Sequence, residues 1–157
     1  MPPNKVWPSF DSAVADMQHG AVLNVGGFGG PGECPSYLIA AIVRKRVERL
    51  TIVANLGGWG TRRINALRNL MKGLLPIPDD FYDMGLLCEH ELVAKGIMSF
   101  PAASGMSEIP FEEQLREGKV ELELIGQGSL SERIRAAKAG IPAFYTPVGV
   151  GTIVAKG

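Results

Sequence analysis

Residues 21–35 read Ala-Val-Leu-Asn-Val-Gly-Gly-Phe-Gly-Gly-Pro-Gly-Glu-Cys-Pro. The apolar run that ends at Val25 predicts a buried strand, and the apolar segment 37–43 after Pro35 predicts a helix. Five glycines in between cost backbone entropy, which indicates a loop that needs positive φ angles or the close approach of a ligand. Because the loop leads into a helix N-terminus, it offers free N–H groups to an anion. The stretch therefore predicts an α/β unit with a ligand loop at Gly26–Gly32, the alternative being a tight turn without a ligand.

The rest of the chain alternates segments of strand and helix character. Apolar runs predict further strands at 50–54, 97–100, 120–125 and 143–146. Helical spacing, with Ser9 as the first N-cap and Gly20 as its stop, predicts helices at 10–17, 36–46, 64–71, 86–93, 111–117 and 129–139. Ser129 and Glu132 have the spacing of a capping box at the start of the last helix.

This order of elements predicts an open α/β fold with a mostly parallel sheet, about five to seven strands wide and flanked by helices. Strands 21–25 and 50–54 are predicted to be neighbours joined by a right-handed crossover. Ligands bind at the carboxyl edge of such sheets. We therefore expect Gly26–Gly32, Asn55 and Gln127 to lie in one neighbourhood.

Composition excludes several classes of function. The chain has 157 residues, of which 46% are hydrophobic, and its sixteen basic residues balance sixteen acidic ones. This balance gives no argument for binding nucleic acid or an anionic membrane. Two distant cysteines, Cys34 and Cys88, argue for reduced thiols and against a structural zinc or other metal site. No signal peptide or membrane span is recognisable, so we expect a single cytoplasmic domain, residues 1–157.

The segment Gly27–Gly32 satisfies the dinucleotide pattern Gly-x-Gly-x-x-Gly. A dinucleotide site also needs an acidic residue at the end of the second strand, where this chain has Asn55. Pro31 inside the loop suits a dinucleotide turn badly, and no Walker A motif occurs. NAD, FAD and nucleotide triphosphates are therefore disfavoured, and we expect no permanently bound cofactor.

Three side chains are candidates for chemistry. Asn55, at the end of a strand, would donate a hydrogen bond to a developing oxyanion, unless it only caps its own turn. Gln127 is a second amide after a strand, flanked by glycines. Cys34 lies near a helix N-terminus and would be a nucleophile if its thiol were activated; the alternative is a passive small residue.

Three long motifs resemble the A (alpha) subunit of the family I coenzyme A-transferases, the group that includes the 3-oxoacid CoA-transferases. They are the loop Val-Gly-Gly-Phe-Gly at 25–29 with Gly32 and Pro35, the segment Gly-Gln-Gly-Ser-Leu-Ser-Glu-Arg-Ile-Arg-Ala at 126–136, and the closing run 139–152, Ala-Gly-Ile-Pro-Ala-Phe-Tyr-Thr-Pro-Val-Gly-Val-Gly-Thr. The resemblance extends from about Phe10 to Gly157. It implies the transfer of CoA from an acyl-CoA, such as succinyl-CoA, to a carboxylic or 3-oxo acid.

The resemblance also implies roles for particular residues. Asn55 matches the family's donor to the thioester oxyanion, and Gln127 with Gly128 matches its substrate cleft. The family's CoA-contacting loop corresponds to Gly26, Gly27, Phe28, Gly29, Gly30, Pro31 and Gly32. The nucleophilic glutamate belongs to the B (beta) subunit in this family, so the resemblance implies a hetero-oligomer, A2B2, active only when both kinds of subunit are present.

The chain departs from the family pattern at three places. One extra residue separates Gly32 from Pro35, Leu56 replaces a second asparagine, and the family's C-terminal part is expected to be missing beyond Gly157. Two alternatives therefore stay open beside the transferase. One is a CoA-ester hydrolase or isomerase on the same fold, and the other is a non-catalytic CoA-binding or assembly subunit.

Overall fold

Four parallel strands form one sheet in the order β1-β2-β3-β4. The computed structural model describes residues 4–28, 33–74, 76–102 and 108–156. The strands are β1 (Val22–Asn24), β2 (Leu50–Leu56), β3 (Val93–Phe100) and β4 (Glu121–Leu124). The helices are α1 (Phe10–Ala13), α2 (Ser36–Lys45), α3 (Gly60–Leu70), α4 (Gly85–Glu89), α5 (Pro110–Arg116) and α6 (Gln127–Ala139), with a 3₁₀ turn at Ile153–Lys156. The predicted open, parallel α/β fold is confirmed, as is the pairing of the first two strands.

Alternate residues of the strands point to the two faces of the sheet. In β2, Leu50, Ile52 and Ala54 are buried on one face, while the residues between them are half-buried. The first face packs against helices: a Cβ added to Gly96 of β3 would lie 2.6 Å from the ring of Phe111 in α5. The main core lies on this side of the sheet. Its largest fully buried side chains come from strands, helices and the turn before β3: Phe111, Ile39, Leu50, Leu87, Leu92 and Met98.

The opposite face of the sheet is more open. Val22 of β1 points to it and is 65% exposed. Helix α6 reaches this face at two points, where Gln127 hydrogen-bonds to Asn55 of β2 and Arg133 bonds to Glu123 of β4. The side chain of Asn55, at the end of β2 on this face, is only half-buried.

The predicted sheet was too wide. The described residues contain four strands, and the predicted strand 143–146 has no regular structure, with Tyr145 fully exposed. Pro142 and Pro147 enclose this segment, and no neighbouring strand among the described residues supplies the hydrogen bonds that an extended segment needs.

Several predicted boundaries were also wrong. The segment 86–93 is not one helix: α4 ends at Glu89, Glu91 takes a positive φ of 55°, and β3 begins at Val93 rather than at Ile97. The turn at Glu91 lets one apolar stretch supply both a helix and a strand. Ser9 does cap α1, accepting a hydrogen bond of 3.1 Å from the backbone of Ser12, but α1 ends at Ala13, well before Gly20.

Candidate functional site

Two of the predicted site residues are in direct contact at the carboxyl edge of the sheet. Asn55, next to the last residue of β2, is half-buried, and Gln127 is the exposed first residue of α6. The Nε2 of Gln127 donates a hydrogen bond of 2.7 Å to the Oδ1 of Asn55. The two side chains come from positions 72 residues apart, so the fold itself brings them together.

This hydrogen bond orients the Asn55 amide. With Oδ1 occupied as the acceptor, the Nδ2 group is the remaining hydrogen-bonding end of the side chain, and it can only donate. Among the described residues, Nδ2 has no acceptor. The arrangement presents an oriented neutral donor, which suits an oxygen atom that gains negative charge during a reaction.

Ser99 is a third polar side chain at this edge, and the sequence patterns did not single it out. It lies next to the last residue of β3, and its hydroxyl oxygen is buried with no hydrogen-bond partner in the described part of the chain. A buried hydroxyl left without a partner costs about 1–3 kcal/mol, so it needs an explanation. The position of Ser99 near the end of an apolar strand, like that of Asn55, was the available signal.

An ion-pair network lies on the same face, nearer the start of the strands. Glu123 of β4 bonds to Arg133 of α6 at 2.5 Å and to Lys95 of β3 at 2.9 Å. Hydrogen bonds from Arg133, and then from Lys95, lower the pKa of Glu123. The network ties α6 to the sheet and so supports the position of Gln127.

The first glycine loop is closed at its base. The Oε2 of Glu33 accepts a hydrogen bond of 2.8 Å from the backbone N–H of Phe28, whose ring is exposed. Gly27 has a φ of 114°, and a Cβ there would lie 2.9 Å from the carbonyl oxygen of Glu33, so this position requires glycine. A Cβ on Gly26 would meet no described atom within 4 Å. The other predicted loop residues, Gly29, Gly30, Pro31 and Gly32, lie outside the described residues.

Cys34 follows this loop and is half-buried. Burial, and then the charges of Asp83 and Glu33, raise the pKa of its thiol to about 11. The thiol is therefore protonated at neutral pH and is a poor nucleophile. Of the two interpretations left open by the sequence, the structure favours the passive residue.

The N-terminus of α6 adjoins the Asn55–Gln127 pair. The predicted capping box is wrong: α6 begins at Gln127, so Ser129 lies inside its first turn, and no side chain among the described residues caps the helix. Its first N–H groups therefore have no hydrogen-bond partner from the helix itself. Gly128, in this first turn, is exposed, and a Cβ there would meet no described atom within 4 Å.

The second glycine loop, residues 57–60, follows Asn55 and is held by a carboxylate that the sequence patterns did not reveal. Asp83 is buried and accepts hydrogen bonds from the backbone N–H groups of Trp59 at 2.5 Å, Gly60 at 3.1 Å and Gly85 at 2.9 Å. Burial raises the pKa of this carboxyl group, and the backbone hydrogen bonds oppose the rise. Asp83 anchors the chain directly after Asn55. Its acidic side chain lies in a segment without clear periodicity, so little in the sequence marked it.

Within the described ranges, no group of three or more His, Cys, Asp or Glu side chains is placed to bind a metal ion. Among the same residues, no helix is both long enough and apolar enough to cross a bilayer.

Comparison with known proteins identifies relatives along nearly the whole chain. The model of the family described as "Coenzyme A transferase" matches residues 8–157. The chain is 39% identical over 154 residues to the A subunit of 3-oxoadipate CoA-transferase from Pseudomonas putida, an alignment that covers 98% of this chain and 57% of that protein. It is 38% identical to the A subunit of succinyl-CoA:3-ketoacid coenzyme A transferase from Helicobacter pylori. That alignment covers 98% of this chain and 56% of that protein. The chain thus spans a little more than half the length of these relatives.

Solved structures agree on the fold. Glutaconate coenzyme A-transferase from Acidaminococcus fermentans matches with a TM-score of 0.70 and 20% identity, covering 98% of this chain and 42% of that one. A variant of the decarboxylase AibA/AibB matches with a TM-score of 0.68 and 21% identity. That match covers 96% of this chain and 50% of the other. Because a transferase and a decarboxylase share the architecture, the reaction has to be argued from the site rather than from the fold.

Proposed function

The chain belongs to the coenzyme A transferase family, and we propose that it is the A-type subunit of an enzyme that moves CoA from an acyl-CoA to a free acid. The donor in this proposal resembles succinyl-CoA, and the acceptor is a carboxylic or 3-oxo acid. The names of the two relatives, which are 39% and 38% identical, support both choices.

The observation that carries the proposal is the hydrogen bond from Gln127 to Asn55. Attack on a thioester places negative charge on its carbonyl oxygen, and an oriented amide donor stabilises that charge most strongly at the transition state. Asn55 is such a donor, since its acceptor end is occupied by Gln127. A turn-capping asparagine would instead direct its side chain to its own backbone.

In the proposed reaction, the attacking group is a glutamate of the B-type subunit. Its carboxylate oxygen attacks the thioester carbon, the C–S bond breaks, and the CoA thiolate leaves an acyl-glutamyl anhydride. The thiolate then attacks the glutamyl carbonyl, which releases the first acid as a carboxylate and forms an enzyme–CoA thioester. The acceptor carboxylate takes the CoA by the same steps in reverse, so no electrons are gained or lost.

Two backbone segments are proposed to receive the rest of the CoA ester. Gly26 and Gly128 leave open space where a side chain would stand, and neither has a positive φ. The uncapped N-terminus of α6 adds N–H donors and the positive end of a helix dipole beside Asn55. The loop Gly26–Gly32 is assigned to CoA, and Gln127 with Gly128 to the substrate cleft.

The partner in this proposal is a B-type subunit, in an A2B2 hetero-oligomer. The chain's described residues supply donors and an open cleft, and burial holds the Cys34 thiol protonated, so the proposal assigns the attacking group to the partner. We further propose a cytoplasmic location, which suits its two free cysteines. Nucleic acid and membranes are not among the proposed partners.

The test combines the purified chain with candidate B-type subunits and follows CoA exchange between succinyl-CoA and a 3-oxo acid. We expect turnover only from the mixture, with one new acyl-CoA formed for each succinyl-CoA consumed. Free CoA without a new acyl-CoA would identify a hydrolase instead. Binding of CoA without turnover, with every partner, would identify an assembly subunit. Turnover by the isolated chain would contradict the two-subunit proposal.

A further inference from the structure

Ser99 has an unusual position for a buried polar group. Its hydroxyl oxygen lies within the protein with no hydrogen-bond partner in the described ranges, although it stands at the edge of the sheet where Asn55 and Gln127 meet. A hydroxyl at such a place gains a hydrogen bond only when an acceptor from outside these residues reaches it.

The strand register places Ser99 beside Asn55. Val53 pairs with Ile97, and Leu56 pairs with Phe100. Counting between these pairs, Asn55 lies opposite Ser99, and the two side chains share the face opposite the buried pair Ala54 and Met98.

Neighbouring strands are about 4.8 Å apart, so the side chains of Asn55 and Ser99 start at roughly that separation. An N–H donor reaches an oxygen at about 2.9 Å and an O–H donor at about 2.8 Å. One oxygen atom located between the two side chains can therefore accept from both. Gln127 already fixes the direction in which Asn55 donates.

We propose that Ser99 is the second donor to the thioester carbonyl oxygen, forming with Asn55 a two-donor oxyanion site. This inference rests on the proposed CoA-transferase function. Ser99 keeps its proton and donates a hydrogen bond as charge develops on the oxygen. It does not act as a nucleophile, since no described histidine or carboxylate is hydrogen-bonded to it to remove the proton.

The experiment compares Ser99→Ala and Ser99→Cys with the wild-type chain, each assembled with the B-type subunit that supports turnover. Thr51→Val is the matched control, because Thr51 lies on the same face of the sheet and the substitution also removes one hydroxyl. We measure kcat, KM for succinyl-CoA and the melting temperature of every variant.

Loss of one of two oxyanion donors is expected to lower kcat for Ser99→Ala by about 10–100-fold, with KM little changed. Its melting temperature should stay level or rise, because the hydroxyl contributes no hydrogen bond to the described part of the fold. Ser99→Cys, with a weak donor, should be intermediate, and Thr51→Val should match wild type.

The outcomes separate this inference from the function on which it rests. If wild type turns over and Ser99→Ala keeps full kcat, the hydroxyl does not contact the thioester and the two-donor site is refuted, while the transferase stands. A fall in melting temperature that parallels the fall in kcat would also refute it, in favour of a structural hydroxyl. If wild type shows no CoA transfer with any partner, the proposed function fails and this inference fails with it.

Discussion

Two glycine-rich loops follow neighbouring strands at the same edge of the sheet, and Gly26 of the first loop differs from the glycines of the second. In the loop after β2, Gly58 and Gly60 have positive φ angles of 79° and 75°. A Cβ on Gly58 would lie 2.2 Å from the backbone nitrogen of Gly85. In the loop after β1, a Cβ on Gly26 would meet no described atom within 4 Å. The fold requires the glycines of the second loop, whereas it does not require Gly26.

Glycine density alone therefore does not distinguish a packed turn from a ligand loop. The sequence shows a cluster in both places, but the neighbours that exclude a side chain are visible only in three dimensions. Gly128 resembles Gly26 in this respect, because a Cβ added there would also enter open space. A glycine that neither packing nor backbone conformation demands is the better candidate for contact with a ligand.

The largest effect on stability is expected for Gly58→Ala. The added methyl group would clash with backbone atoms of α4, and the positive φ adds strain, so we expect a loss of about 4 kcal/mol in the free energy of unfolding. Gly73→Ala is the control, since Gly73 has a φ of 87° with no described atom near the added Cβ. It should lose only about 1–2 kcal/mol, from strain alone. Urea denaturation measures both, and equal losses would contradict the packing argument.

Asn55, directly before the packed loop, should affect catalysis rather than folding. Asn55→Ala should lower kcat about 10²–10³-fold, or roughly 2.7–4 kcal/mol, while CoA affinity and melting temperature stay near wild type. Asn55→Asp should be slower still, because a carboxylate repels the oxyanion. Asn65→Ala, which removes an exposed amide on α3, is the control and should keep full activity.

If Asn55→Ala loses about 1 kcal/mol in stability and keeps kcat within a few-fold of wild type, Asn55 only stabilises its own turn and is not an oxyanion donor. Measuring melting temperature and single-turnover acylation on the same sample separates the two roles.

Asp83, the anchor of the packed loop, provides a test by pH. Asp83→Asn should lose about 1–3 kcal/mol, because the Nδ2 group of the amide replaces one of the two carboxyl oxygens and cannot accept, which leaves at least one of the three backbone N–H groups without a partner. Burial raises the pKa of Asp83 in the folded chain. Its contribution to stability is therefore full below the ordinary pKa of 3.8 and falls as pH rises through the raised value.

The stability difference between wild type and Asp83→Asn should consequently shrink as pH rises from about 4 towards neutrality. Urea titrations at several pH values measure it. A difference that grows with pH would mean that the three N–H groups outweigh burial and lower the pKa instead.

The smallest effects on stability are expected at glycines where an added side chain would meet no described atom. Gly26→Ala and Gly128→Ala should each change stability by no more than about 1 kcal/mol, and Gly128→Ala should raise it because alanine favours a helix. Each should weaken binding of a CoA ester about tenfold, the equivalent of one lost hydrogen bond. Calorimetric titration with a CoA ester measures this. Unchanged affinity in both variants would remove the distinction between the two loops.

Much of the candidate site could be predicted because its signals are local. Asn55 ends an apolar run, Gln127 lies between glycines after another run, and parallel strands bring such ends to one edge. Ser99 shares with Asn55 only its position near the end of an apolar strand, and Asp83 had no such signal. One is a serine in an apolar strand, notable only because its hydroxyl has no partner among the described residues, and the other is an aspartate in an aperiodic segment, notable only because it is buried.

The failed predictions have a common cause. The strand predicted at 143–146 has an apolar sequence, but a strand needs a neighbour, and the described part of the chain brings none to it. The capping box at Ser129 has the right spacing, but α6 begins two residues earlier, at Gln127. In both cases the local sequence pattern was present, but the surrounding structure did not use it: one segment lacks a neighbouring strand, and the helix begins before the predicted cap.

The sequence by itself determined the class of fold, the neighbouring pair β1 and β2, the family, and the candidates Asn55 and Gln127. These follow from periodicity, from residue types at element ends and from motifs, all of which are encoded along the chain. Only the tertiary structure decided that Gln127 orients Asn55, that Ser99 stands beside it, and that Gly58 and Gly60 are packed while Gly26 leaves space. Those properties depend on distances between residues far apart in sequence, and only the folded backbone sets such distances.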